Sequence, residues 1–225
     1  MSNINLGIKQ IAMLASNGFI ENLPYKNEIK SAFDLSLVPS LERRRLGNAA
    51  KCAFTLLKDF DLSQTMPIIF SSFSGEIYRC LDLLKTLKKE HLVSPTSFSL
   101  SVLNATSALV AIMTKNHSEI SAISADCSLE YGLINAYIKG QPQAIVINYE
   151  ENLLNQSGEY EYFCLIIHID NFNYTKYLTL ECCKHNCLSY NQYLSSFEFF
   201  RHYIAKEKSK WESISNHLKW KWQLV

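Results

Sequence analysis

Between Leu92 and Glu151 the chain alternates apolar segments with turn residues, and that order restricts its fold more than any other feature. Ser94-Pro95 turns into Leu100–Thr114, which is apolar nearly all round and is therefore expected to be a core helix. Glu119–Ser124 is short and bounded by turn residues, as a strand is. A sharp strand-to-helix junction follows at Ser124-Ala125-Asp126-Cys127. Cys127–Lys139 then reads as a second buried helix ending at Gly140, and Ala144–Asn148 as a further strand. Strands alternating with helices in this way predict an α/β fold, a mixed sheet covered by helices.

The flanks extend the pattern. Leu6–Leu14 alternates as a first strand does, and Asn17–Ser40 is irregular. Ser40 is placed to cap a helix with Glu42 in its first turn. Leu46, Ala49, Ala50, Ala53, Phe54 and Leu57 fall at helical spacing and form a face expected to be buried. Pro67-Ile68-Ile69-Phe70 reads as a buried parallel strand. Ser74 and Gly75 open a helix whose stripe is Ile77, Leu81, Leu84 and Leu87. Tyr162–Ile169 and Tyr177–Cys183 are two more strands, the first pairing with Ala144–Asn148 across Asn152–Glu159. From Tyr193 a long C-terminal amphipathic helix is expected, with Phe197, Phe200, Ile204, Trp211, Ile214 and Leu218 at near-heptad spacing and a gap at Glu207.

At 225 residues the chain can bury a core as a single domain, 1–225. A net charge of +1 supplies no bulk field for nucleic acid or a membrane surface, although the stretch from Arg201 onward carries a balance of +4. Nothing at Met1-Ser2-Asn3-Ile4 reads as a leader, and no apolar run approaches a bilayer span. Seven cysteines without a signal peptide read as reduced thiols in the cytoplasm.

Several motifs occur in order: Arg43-Arg44-Arg45-Leu46, Ile69-Phe70-Ser71-Ser72-Phe73-Ser74-Gly75-Glu76, Ser94-Pro95-Thr96-Ser97-Phe98-Ser99-Leu100-Ser101-Val102-Leu103-Asn104-Ala105, and the Cys127 junction. Together, over roughly 40–151, they resemble the nucleophile half of a β-ketoacyl synthase of the thiolase-fold family. They are similar to the short β-ketoacyl synthase-like subunits that act as chain length factors in aryl polyene clusters. The resemblance implies a truncated thiolase-like layered fold. In catalytic members a cysteine sits at this junction, where a helix N-terminus aims its dipole at the sulfur. Counting forward from Asn104 puts Cys127 at the nucleophile position; counting back from Gly140 puts Ile123 there. In either register the usual Ser-Gly is replaced by Ser128-Leu129. The two catalytic histidines of the family have no counterpart, since His168, His185, His202 and His217 lie in none of its histidine motifs.

The resemblance therefore implies a non-catalytic subunit that pairs with a β-ketoacyl synthase and an acyl carrier protein in polyketide- or fatty-acid-type synthesis. It implies an acyl-tunnel wall at Phe98, Leu100, Val102 and Leu103. It also implies a dimer interface at Asn104, Glu119, Ile120, Ser121, Ala122, Ile123 and Ser124. Two rivals stand beside it: a minimal acyltransferase using Cys127, and a stand-alone module that binds an acyl carrier protein.

No cofactor or metal is expected. Cys182-Cys183-Lys184-His185-Asn186-Cys187 is dense in metal-binding types but lacks a second knuckle, and adjacent strand residues point to opposite faces. Asp126 reads as a helix cap and Glu150-Glu151 as a solvated strand end. The tail residues Lys206, Lys208, Lys210, Lys219 and Lys221 read as the solvated face of an amphipathic helix, with Trp211, Trp220 and Trp222 packed beneath.

Overall fold

The computed structural model describes residues 3–21, 23–152, 161–185, 194–205, 208–215 and 217–225. In chain order the strands are β1 (Ile4–Ala15), β2 (Ile68–Ser72), β3 (Ile120–Ser124), β4 (Gln143–Asn152), β5 (Glu161–Asp170), β6 (Lys176–Lys184), β7 (Ser209–Ser215) and β8 (Leu218–Leu224). The helices are α1 (Asn17–Ile20), α2 (Ser40–Arg43), α3 (Asn48–Leu57), α4 (Ile77–Glu90), α5 (Pro95–Ser99), α6 (Ala105–Met113), α7 (Ser128–Ile138) and α8 (Leu194–Ile204).

The eight described strands form one mixed sheet in the order β3-β2-β4-β5-β1-β6-β8-β7. β2 runs parallel to β3 and β4; the pairs from β4 across to β7 are antiparallel. Strand alternation divides the core between two faces. On β5, Phe163, Leu165, Ile167 and Ile169 join α7 and α8, while Cys164 and Ile166 join α3. Two glycines show how the α7 layer is set. A Cβ on Gly132 would lie 2.8 Å from Ser71 Oγ and 3.0 Å from Val146 Cγ1, so α7 approaches β2 and β4 too closely for a side chain. Gly140, at φ +62, ends the helix as its position predicts.

The mixed, helix-covered sheet agrees with expectation, as do the buried face Leu46–Leu57 and the β4–β5 pairing. Four local readings are corrected. The helix expected from Ser40 is two helices, α2 and α3, with Pro39 and Gly47 at the N-cap positions. Leu100–Thr114 is not a core helix: α6 is shorter, only Thr106, Ser107 and Val110 are buried on it, and Ile112 is 73% exposed. The long C-terminal helix is also absent. α8 stops at Ile204, and β7 and β8 form a hairpin whose Leu218, Trp220, Trp222 and Leu224 turn inward at period two. Lys219 and Lys221 occupy the intervening positions, so the tryptophans are packed, but on a strand. Finally, Glu150 and Glu151 are buried, 1% and 2% exposed.

Candidate functional site

The site is built where the parallel strands β2, β3 and β4 end and α7 begins. Cys127 occupies the N-cap position of α7 and makes no side-chain cap hydrogen bond. It is 4% exposed and packs into the core cluster that includes Trp220, whose ring meets Tyr131 edge-on at 5.8 Å. Burial, reinforced by the Glu130 carboxyl, pushes the thiol up to about 11, against the opposing influence of Ser215 and Trp220. A thiol so placed is protonated at neutral pH and is a weak nucleophile. Ile123, the alternative position, is half-buried within β3 and pairs in register with Ser71. Neither register presents an activated nucleophile.

The histidines of the remainder are scattered. His168 is buried in β5 with both ring nitrogens unpartnered, 6.3 Å from the Phe60 ring. His202 stacks on Trp211 at 4.0 Å. His217 has φ +64 at the hairpin turn, and its carbonyl accepts from His185 N at 2.7 Å. Cys182 and Cys183 lie on β6; Cys182 packs toward the core, while Cys183 Sγ approaches Lys219 O at 3.6 Å. Asn186 and Cys187 lie outside the described residues.

Behind the junction lies a buried polar network that the sequence reading missed. Glu150 accepts from Phe73 N at 2.6 Å, Ser74 N at 3.2 Å, Ser74 Oγ at 3.1 Å, Ser72 Oγ at 3.3 Å and Ser128 Oγ at 2.8 Å. Asn148 Nδ2 donates to Ser128 Oγ at 2.8 Å and Ser71 O at 3.2 Å, and its Oδ1 accepts from Ser196 Oγ at 2.7 Å. One cluster thus ties β2, β4, the first residue of α7 and the start of α8 together. Burial raises the Glu150 carboxyl, and its donors oppose the rise. Glu151 points the other way, accepting from Tyr149 Oη at 2.6 Å and Tyr78 N at 3.0 Å; burial pushes it up to about 7. It lines a cavity of about 430 Å³ with Lys51, Glu76 and Arg79. The Ser71–Ser74 hydroxyls, beside a strand ending in two acids, were the available signal for this cluster.

The residues singled out for a wall and an interface lie on β3 and on the segment from α5 to the N-cap of α6. Among the described residues β3 is an edge strand, bonded to β2 alone. Ile120, Ser121, Ala122 and Ile123 are half-buried, and Ser124 is exposed, its Oγ donating to Phe73 O at 3.2 Å. Glu119, just before the strand, pairs with Lys139. Phe98 on α5 is 61% exposed and Val102 45%; Leu100 and Leu103 are half-buried, and Asn104, the N-cap of α6, is exposed. No described helix is long and apolar enough to cross a membrane.

Solved structures share this architecture. A chain from a ketosynthase in complex with its chain length factor from Xenorhabdus doucetiae superposes with a TM-score of 0.76 at 19% identity, covering 98% of this chain and 99% of that one. A type II polyketide synthase acyl carrier protein–ketosynthase complex matches with a TM-score of 0.60 at 11% identity, covering 81% of this chain and 70% of that one. A β-ketoacyl synthase from Burkholderia phymatum matches at 0.52 and 11% identity, covering 81% and 65%. No curated protein matches by sequence. The thiolase-like fold is therefore shared with ketosynthases and with chains of their complexes. The β-ketoacyl synthase N-terminal domain profile matches residues 20–223, nearly the whole chain. By that match the chain belongs to the β-ketoacyl synthase N-terminal domain family.

Proposed function

We propose that the chain is a non-catalytic, chain-length-factor-like subunit, a single domain that pairs with a β-ketoacyl synthase and shapes its acyl tunnel. The observation that carries this reading is the free edge of β3. An uncharged five-residue edge strand is a template for another chain's strand. Phe98, Val102 and Ile112 are exposed apolar side chains of the kind that a partner covers, and α6, which carries Ile112, packs against β3. In this reading Asn104 and Glu119–Ser124 form the dimer interface across a two-fold axis. Phe98, Leu100, Val102 and Leu103 close the far end of the partner's tunnel. The partner supplies the nucleophile and histidines, and an acyl carrier protein delivers the chain. The match in fold and length to a chain of a ketosynthase–chain length factor complex supports this assignment. The buried, raised thiol of Cys127 weighs against the acyltransferase alternative.

We assign the complex to aryl-polyene-type synthesis in the cytoplasm, on the motif resemblance over 40–151. The test is co-expression with the ketosynthase of the neighbouring gene, followed by gel filtration and product analysis. A 1:1 complex is expected, with Phe98→Ala lengthening the product, since each methylene accommodated is worth roughly 0.8 kcal/mol. Elongation of acyl thioesters by the isolated chain would overturn the non-catalytic assignment. An acyl adduct seen by intact mass and lost in Cys127→Ala would favour the acyltransferase.

A further inference from the structure

α4 is turned inside out with respect to its own molecule. It runs for 14 residues without one buried side chain. Arg79, Leu83 and Thr86 face inward and line the cavity of about 430 Å³ with Lys51, Glu76 and Glu151. Leu81 and Leu84 lie on the opposite side, 37% and 61% exposed, with Leu87 on the flank at 45% and Leu92 just beyond at 76%. An amphipathic helix normally buries the stripe that here faces outward. The helix is nevertheless fixed to the segment that carries Phe98 and Val102. Cys80 Sγ meets Ser101 O at 3.8 Å, and Leu103 lies within 3.3 Å of where a Cβ on Gly75 would sit.

We propose that α4 is a second arm of the interface, its leucine side covered by the same ketosynthase-type partner that takes the β3 edge. This rests on the reading of β3 given above. Area argues for it. A five-residue edge is about 17 Å long, and a strip of that length buries roughly 200 Å², against about 800 Å² per partner in a stable complex. Lipid is the weaker occupant, because the β3 edge assigned to the same interface needs hydrogen-bonding groups that lipid lacks. Charge specifies the partner further. Lys85, Lys88 and Lys89 border the leucines, and Asp82 pairs with Lys85. The partner's facing surface is therefore apolar with an acidic rim, which a second copy of this chain does not offer at α4.

The experiment measures affinity for the co-expressed ketosynthase by titration. Leu81→Asp/Leu84→Asp alters only exposed positions and leaves the fold intact; the expected loss is at least tenfold. Lys85→Glu/Lys88→Glu/Lys89→Glu is expected to slow association at least tenfold at low salt and to flatten its salt dependence. A separate variant, Ala122→Pro, tests the β3 edge, because in this parallel register the Ala122 N–H points away from β2 while those of Ser121 and Ile123 point toward it. If Ala122→Pro abolishes the complex while the leucine variant binds as wild type, the arm is refuted and the edge reading stands. If Ala122→Pro binds normally, the edge reading itself falls. Sedimentation of the isolated chain with phosphatidylglycerol vesicles, lost in the leucine variant, would reassign α4 to a membrane surface. Concentration-dependent self-association lost in that variant would reassign it to a second copy.

Discussion

Replacing Asn148 with Asp tests the buried network by changing one group while preserving its shape. The Asn148 amide nitrogen donates to Ser71 O and Ser128 Oγ, and only a donor can face the Ser71 carbonyl. An ionised aspartate would set an unpaired oxygen against that carbonyl, at a site with no exposure. The variant must therefore hold a proton. The protonated form donates once where the amide donated twice, at a cost of about 1 kcal/mol. Holding the proton at pH 7 against an unfolded value near 3.9 costs about 4 kcal/mol more, at 1.36 kcal/mol for each unit. The folded pKa is raised, so this second cost is absent below the unfolded value and grows as pH rises toward the folded one. Urea melts should show a loss of about 5 kcal/mol at pH 7 and about 2.5 kcal/mol at pH 5, with the m-value unchanged. For a chain of this size, the pH 7 loss lowers Tm by roughly 10–20 °C. An equal loss at both pH values, or none, would refute the donor assignment.

Three further outcomes follow from burial. Trp220→Ala should cost about 3–5 kcal/mol and open Cys127 to iodoacetamide, read by peptide mass mapping on protein that still melts cooperatively. If Cys127 alkylates equally fast in the wild type, the packing described around it is wrong. Glu151 has a folded pKa raised to about 7, so its contribution is present below about 4.5 and is lost as pH rises through 7. Glu151→Gln should flatten that part of the stability–pH curve, by up to about 3 kcal/mol. Burial holds the His168 pKa below 6.5, so protonation favours the unfolded chain as pH falls through that value. His168→Leu should remove this acid sensitivity, and a pH 5 melt no better than wild type would count against it.

Most strands were legible because their apolar runs are bounded by turn residues; Ile68–Ser72 and Glu161–Asp170 are examples. The tail was misread because Trp211, Ile214 and Leu218 satisfy helical spacing, while Leu218, Trp220, Trp222 and Leu224 satisfy period two as well. Short apolar patterns admit both periods, and tertiary pairing with β6 selects the strand. α6 was misread for another reason: apolar composition reports that a surface is to be covered, not that its own chain covers it. Glu150 was hidden because adjacent acids usually mark solvent. Only the fold brings Ser72, Ser74 and Ser128 around its carboxylate.

The place of β1 in the sheet sets a timetable for synthesis. It precedes the other described strands in sequence, yet it lies between β5 and β6, and Gly7 N bonds to Asn171 Oδ1 across 164 positions of sequence. Its apolar residues therefore wait for their neighbours until β5 and β6 have been made. During that interval they form an unpaired strand of the kind that is prone to mispairing.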